Sequence, residues 1–187
     1  MHGPALSGWL LVAVCAATGL SCLLRMRAST GEERRAAGGE AVMGFGMAAM
    51  ALPAAVLTPP GWSWTVYAAV FGGATLHGLL ALRRGGHHLH HLVGSLAMLY
   101  MAVTMAAPGA PGAHTEHAAA GPAGGIPVLT GALLLYYVAY VLRAGTRLVP
   151  VAAGGAGPGP AWAARPELAR ACRLAMALAT LAMLVAL

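Results

Sequence analysis

The sequence predicts an all-α, polytopic membrane helix bundle of about six transmembrane helices arranged as three hairpins, with both termini outside. Two observations predict this class. Hydrophobic residues make up 59% of the 187-residue chain and charged residues only 9%, with a mean hydropathy of +0.73, so a water-soluble globule would lack the polar surface to cover itself. The apolar residues also gather into six stretches, each near the roughly 20 residues that a helix needs to cross a bilayer. Little chain remains outside them, and we expect residues 1–187 to form a single integral membrane domain.

The predicted helices are separated by short polar or Gly/Pro-rich connections. In chain order they cover residues 5–24, 41–57, 64–82, 89–107, 126–143 and 167–187. The first begins without the basic residues that open a signal peptide, so we interpret it as a permanent helix. Thr-Pro-Pro-Gly at residues 58–61 favours a tight turn before the third helix. Linkers rich in Gly, Pro and Ala, residues 108–125 and 151–163, are predicted to be mobile.

The placement of arginine predicts the orientation of the bundle. All eleven basic residues are Arg, and they follow the first, third and fifth helices, within residues 25–35, 83–84 and 143–173. The alternate connections, residues 58–63 and 108–125, contain none. By the positive-inside rule the Arg-bearing loops are cytoplasmic. The formal charge of +6 therefore reflects topology and contact with the lipid bilayer, and no nucleic-acid partner is expected.

Methionine recurs at the same offsets in the three even-numbered helices. Counted from a polar residue at the start of each helix, these are Met43, Met47 and Met50 after Glu40, Met98 and Met101 after His91, and Met176 and Met183 after Arg173. We call this set the methionine ladder. Offsets of three, seven and ten return a side chain to the same helix face.

If the even helices pack together, the methionine ladder forms layers across the membrane. The outermost layer holds Met50, Met101 and Met183, the next Met47, Met98 and Thr180, the next Met43, Gly94 and Met176, and the innermost Glu40, His91 and Arg173. The matched positions of Glu40 and Arg173 predict an ion pair between them.

The ladder supports two interpretations. Thioethers in an apolar setting suit a soft ion such as Cu(I), which makes copper the expected cofactor and the ladder methionines with His91 the expected metal ligands. The same residues also serve as adaptable packing in a membrane core. Cys22 and Cys172 are expected near the same inner boundary, where they would either receive Cu(I) or act as small buried hydrophobes.

Histidines form two further candidate sites. His87, His88, His90 and His91 lie within five residues at the start of the fourth helix. Their i,i+3 and i,i+4 spacings would let neighbouring imidazoles share a metal, although an interfacial polar collar has the same sequence. In the outer linker, His114 and His117 flank Glu116, which suits either a weak divalent-ion site or a solvated stretch.

His77 lies within the apolar part of the third helix. An ionisable residue at that depth is a functional candidate, although a hydrogen bond between helices satisfies it equally well. With His91 on the adjacent helix it could ligate a b-type haem, because haem needs two histidines facing one another at similar depth.

Several motifs of common enzyme classes are missing from the sequence. There is no Asp, no Gly-rich phosphate loop before a helix and no Cys-x-x-Cys. Nucleotide-driven, ordinary hydrolytic and c-type haem chemistry therefore find no support. No nucleotide is expected as a partner, and the sequence leans toward a protein that is not an enzyme.

Three segments together resemble a bacterial family of small six-helix membrane proteins known as domain of unknown function 5134. They are residues 40–50, His91 with Met98 and Met101, and Ala-Cys-Arg-Leu-Ala-Met at residues 171–176. The resemblance covers most of the chain and implies a multi-pass protein of the bacterial cell (plasma) membrane, without an established activity. Histidine tends to begin the Met-bearing helices of that family. His91 matches this pattern, whereas Glu40 and Arg173 stand where histidine is expected.

Three functional hypotheses follow from the sequence. In the first, Cu(I) binds the outermost methionine layer, passes inward and meets His91, which suits copper transport or sensing. In the second, the protein is a b-type haem or copper redox protein that uses His77 and His91. In the third, it is a structural or partner-binding membrane subunit without a metal, whose protein partner the sequence does not identify.

Overall fold

The computed structural model describes residues 3–52, 60–83, 89–106, 125–146 and 166–187. They form six helices: α1 (Gly3–Ala28), α2 (Gly31–Met50), α3 (Trp62–Arg83), α4 (Leu89–Ala106), α5 (Pro127–Thr146) and α6 (Pro166–Val185). No strand occurs within these ranges. The predicted all-α class with six helices is confirmed. Both predicted mobile linkers fall almost entirely outside the described residues.

The second helix differs most from its predicted bounds, because it begins at Gly31 rather than at residue 41. Two acidic residues in its first turn, Glu32 and Glu33, stabilise the helix because their negative charges interact favourably with the positive end of the helix dipole. Arg35 also forms an ion pair with Glu32 at 2.6 Å. Glu, Arg and Ala are strong helix formers, so this charged segment is helical although it is not apolar.

Four of the described helices are long and apolar enough to cross a membrane. They are Leu6–Ala28 of α1, α4, α5 and Glu167–Val185 of α6. Large apolar side chains are also exposed on these helices, among them Leu10, Val103, Val128 and Leu135. Such a surface suits lipid contact, and the protein is a membrane protein. Crossing by α2 and α3, the arrangement as three hairpins, the outer location of both termini and the cytoplasmic side of the Arg-bearing loops stay predictions.

The chain divides into two compact units. Unit 1 comprises Met1–Ala51 and Leu135–Ala182, which include α1, α2, the end of α5 and most of α6. Within it α1 and α2 run antiparallel, since Cys22 contacts Glu40 while Gly19 lies against Gly44. The connection between them is only Ser29 and Thr30, and Gly31 beyond it has the left-handed φ of +59° that glycine adopts without strain.

Unit 2 comprises Leu52–Leu134 and Met183–Leu187, which include α3, α4 and the start of α5. Here α3 and α4 are also antiparallel, because Gly72 faces Leu99 and Gly78 faces Leu92. The hydroxyl of Tyr100 on α4 lies 2.5 Å from the hydroxyl of Thr130 on α5. This hydrogen bond connects α4 to the beginning of α5.

Candidate functional site

Helices α2 and α6 run parallel with a constant sequence offset in unit 1. Arg173 contacts Glu40, and seven residues further along each helix Thr180 contacts Met47. Both pairs are separated by 133 residues in the sequence. This is the register that the methionine offsets predict, so the predicted alignment of α2 with α6 is confirmed for these two layers.

Glu40 is the centre of a buried charged cluster. Its carboxylate is 1% exposed and accepts hydrogen bonds from Arg173 Nε at 2.7 Å and from Arg25 Nη2 at 2.5 Å. The predicted ion pair between Glu40 and Arg173 is therefore confirmed, and Arg25 is a second partner. We call these three residues the Glu40 cluster. Two guanidinium groups compensate the burial of the carboxylate, which would be costly if it were unpaired.

Two cysteines adjoin the Glu40 cluster. The Cys22 thiol donates to Glu40 Oε2 at 3.6 Å. Cys22 and Cys172 pack with Ala41 in one buried group, flanked by Leu23 and Leu168. Both are free thiols, and we call them the thiol pair. The expectation that they share one region of the protein is confirmed.

Unit 1 also buries most of its ladder methionines. Met47 is fully buried, and Met43 and Met176 are nearly so. Met50, at the end of α2, is half-buried. The Sδ atom of Met47 accepts a hydrogen bond from the Thr180 hydroxyl at 3.3 Å. Sulfur atoms from α1, α2 and α6 thus line the interior of this unit.

Unit 2 contains the remaining ladder residues. Met98 and Met101 are buried on α4, and Met183 near the end of the chain is half-buried. The layers that the sequence predicts combine residues of both units, such as Met50 with Met101 and Met183, and this combination stays a prediction.

The two histidines of the haem hypothesis also lie in unit 2. His91 is half-buried at the start of α4, with its ring centroid 6.2 Å from that of His90. His77 is exposed on α3. Haem ligation by these two residues stays a prediction. His87, His88, His114, Glu116 and His117 lie outside the described residues.

The family model named Domain of unknown function (DUF5134) matches residues 32–187. The chain belongs to this family. The resemblance drawn from the methionine-bearing segments is thereby confirmed, and the family carries no assigned activity. No curated protein and no solved structure matches the sequence.

Arg25 is the residue of this DUF5134 protein that sequence reasoning missed. The positive-inside rule accounts for Arg25 as a loop residue, and the predicted start of the second helix at residue 41 left the path of the chain before Glu40 undefined. Had the helix been extended back to Gly31, the short turn would have placed Arg25 opposite Glu40. The charged, helix-forming composition of residues 32–35 was the available signal.

Sulfur atoms recur among the buried side chains in the described part of this DUF5134 protein. Among the residues that the structure describes, no three or more His, Cys, Asp or Glu side chains are grouped to hold a metal ion. Thioethers fall outside that set, and thiols with thioethers are the donors that select Cu(I).

Proposed function

We propose that the protein binds Cu(I) inside the membrane through methionine thioethers, as part of copper transport or sensing. The observation that carries the proposal is the common register of α2 and α6. Met43 and Met176 are separated by the same 133 residues as the two contacting pairs, and both are buried. Two parallel helices therefore present sulfur at the same level of the bundle.

The surroundings of Met47 support this proposal. The Thr180 hydroxyl that approaches Met47 Sδ at 3.3 Å also lies 2.9 Å from the carbonyl oxygen of Met176. A hydroxyl has one proton and donates it to one acceptor at a time. When the proton stays with the carbonyl, the thioether lone pairs of Met47 are free to bind a metal.

The rest of the ladder extends the proposed ligand set. Met50 on α2 is a further thioether of unit 1, and the other ligands that the sequence predicts, Met98, Met101, Met183 and His91, belong to unit 2. Buried Met98 and Met101 on α4 are compatible with this role. Imidazole is also an accepted copper ligand.

The test is Cu(I) binding by the full-length protein in detergent, under anaerobic and reducing conditions, in competition with a chromophoric Cu(I) chelator. Changing Met43, Met47 and Met176 together to Leu is expected to weaken binding by about tenfold or more, because leucine keeps the volume but removes the donor atom. The matched control changes Met26 and Met105 to Leu, two half-buried methionines outside the ladder. The control is expected to bind as the wild type does.

The result separates copper binding from packing. If the ladder variant and the control bind Cu(I) equally well, or if the wild type binds none, the proposal is wrong. A metal-free structural subunit predicts that both sets of Met-to-Leu changes are nearly neutral in every assay, because the swap conserves volume. A Soret band in protein prepared with haem present would instead favour the haem hypothesis based on His77 and His91.

A further inference from the structure

The thiol pair is a candidate binding site distinct from the methionine ladder. Cys22 on α1 and Cys172 on α6 are 0% and 7% exposed and pack in one buried cluster. Two thiols in one buried cluster, on different helices, are placed to bind a single ion. Cu(I) accepts two thiolate ligands in a linear arrangement, so a pair of cysteines is a complete ligand set for it.

The charge of the neighbouring Glu40 cluster fits this ion. Arg25 and Arg173 contribute two positive charges and Glu40 one negative charge, which leaves a net charge of +1. A Cu(I) ion with two thiolates carries a net charge of −1. A buried ion is tolerated only where opposite charge lies close by, and the two groups together are neutral.

The thiol pair is also continuous with the methionine ladder. Cys172 and Met176 are four residues apart on α6, so they lie on one helix face. The rise between them is roughly 6 Å. Met176 is in turn level with Met43 on α2, by the register of the two helices. An ion held by the thiols has a thioether as its next sulfur neighbour.

We propose that Cys22 and Cys172 form a bis-thiolate Cu(I) site that exchanges copper with the methionine ladder. This inference rests on the proposed copper function and adds to it a second class of donor. On binding, each thiol loses its proton to solvent and each sulfur forms one bond to copper, so two thiols and one Cu(I) give one anionic complex and two protons. No oxidation or reduction is involved.

Proton release distinguishes the two classes of donor, because a thioether has no proton to lose. We would titrate the reduced, detergent-purified full chain with the acetonitrile complex of Cu(I) in weakly buffered solution that contains a pH indicator. The wild type is expected to release about two protons for the first equivalent of copper. Binding should also tighten as the pH rises and show the near-ultraviolet absorption of Cu(I)–thiolate bonds.

Variants assign the released protons to their source. Changing Cys22 and Cys172 to Ser is expected to abolish proton release and the thiolate absorption, whereas Cys15→Ser, at a buried free thiol elsewhere on α1, should leave both unchanged. The variant with Met43, Met47 and Met176 changed to Leu should keep them. If the double cysteine variant fails to fold, the number of protons that the wild type releases on binding Cu(I) still tests the thiol site.

Failure of this inference differs from failure of the proposed function. If the wild type binds Cu(I) without releasing protons, and the cysteine variant binds it equally well, the thiol site is wrong while thioether binding stands. If the wild type binds no Cu(I) at all, both proposals are wrong.

Discussion

The α1–α2 pair and the α3–α4 pair are both antiparallel, yet their helices approach to different extents. A Cβ atom placed on Gly44 of α2 would lie only 2.9 Å from the backbone of Gly19, so the α1 and α2 backbones are in direct contact. On α3, a Cβ atom on Gly72 would meet only the Leu99 side chain at 3.8 Å. At Gly72 a side chain therefore separates α3 from α4.

The two pairs also differ in what they bury. The α1–α2 pair encloses Glu40, whose carboxylate has Arg25 as a partner from the facing helix. In the described part of unit 2, one polar contact between helices is the neutral hydrogen bond of Tyr100 with Thr130. Close backbone approach and a buried charge occur together in the α1–α2 pair, because a helix in contact can supply the opposite charge at hydrogen-bonding distance.

The largest effect is expected from Glu40→Gln. The substitution removes the negative charge and leaves two guanidinium groups close together without compensation, so we expect the free energy of unfolding to fall by about 3–5 kcal/mol. Thermal unfolding of the purified protein in detergent measures the change. Glu32→Gln is the matched control, because its ion pair with Arg35 is exposed and exposed pairs contribute at most about 1 kcal/mol. Equal unfolding temperatures for the two variants would show that the Glu40 cluster does not stabilise unit 1.

A smaller effect is expected from Gly44→Ala. The added methyl group would press on the backbone of Gly19, which cannot rotate away as a side chain can, so we expect a loss of about 1–3 kcal/mol. Gly72→Ala is the counterpart in α3, where the new methyl group has ordinary contact distance and alanine favours the helix by about 1 kcal/mol. In the same unfolding assay, the free energy of unfolding should fall for Gly44→Ala and rise for Gly72→Ala. Destabilisation by both variants would mean that α1–α2 and α3–α4 pack equally closely.

The smallest effect is expected from Tyr100→Phe in unit 2. The substitution removes one neutral hydrogen bond, but the Thr130 hydroxyl keeps the carbonyl oxygen of Ile126 as an acceptor at 3.2 Å. No buried donor is left without a partner, so the loss should be about 1 kcal/mol or less. If Tyr100→Phe lowered the free energy of unfolding as much as Glu40→Gln does, the main polar contribution to stability would come from unit 2 instead of unit 1.

Sequence reasoning predicted the α2–α6 alignment because both helices repeat the same offsets from a polar residue. The charged residues Glu40 and Arg173 occupy the same position in this repeat, and opposite charges at matched positions of packed apolar helices pair with each other. The pattern therefore determined a contact across 133 residues of sequence.

The start of α2 and the role of Arg25 were not predictable in the same way. Hydropathy identifies only the apolar part of a helix, and residues 31–40 are helical through propensity and charge placement. The thiol pair was expected in one region, but its contact with Glu40 depends on how closely α1 approaches α2. That distance is set by Gly19 and Gly44, whose small size carries no periodic signal in the sequence.

The long separation of Glu40 from Arg173 has a consequence for how the protein is made. A ribosome that adds about 5–20 residues per second takes on the order of 10 s to translate from one to the other. During that interval Arg25 is the partner of Glu40 already synthesised, and the guanidinium of Arg173 follows only with α6. The buried charge network is thus complete only once α6 has been synthesised. A truncated chain that lacks α6 would leave Glu40 Oε1 without the hydrogen bond that Arg173 Nε donates.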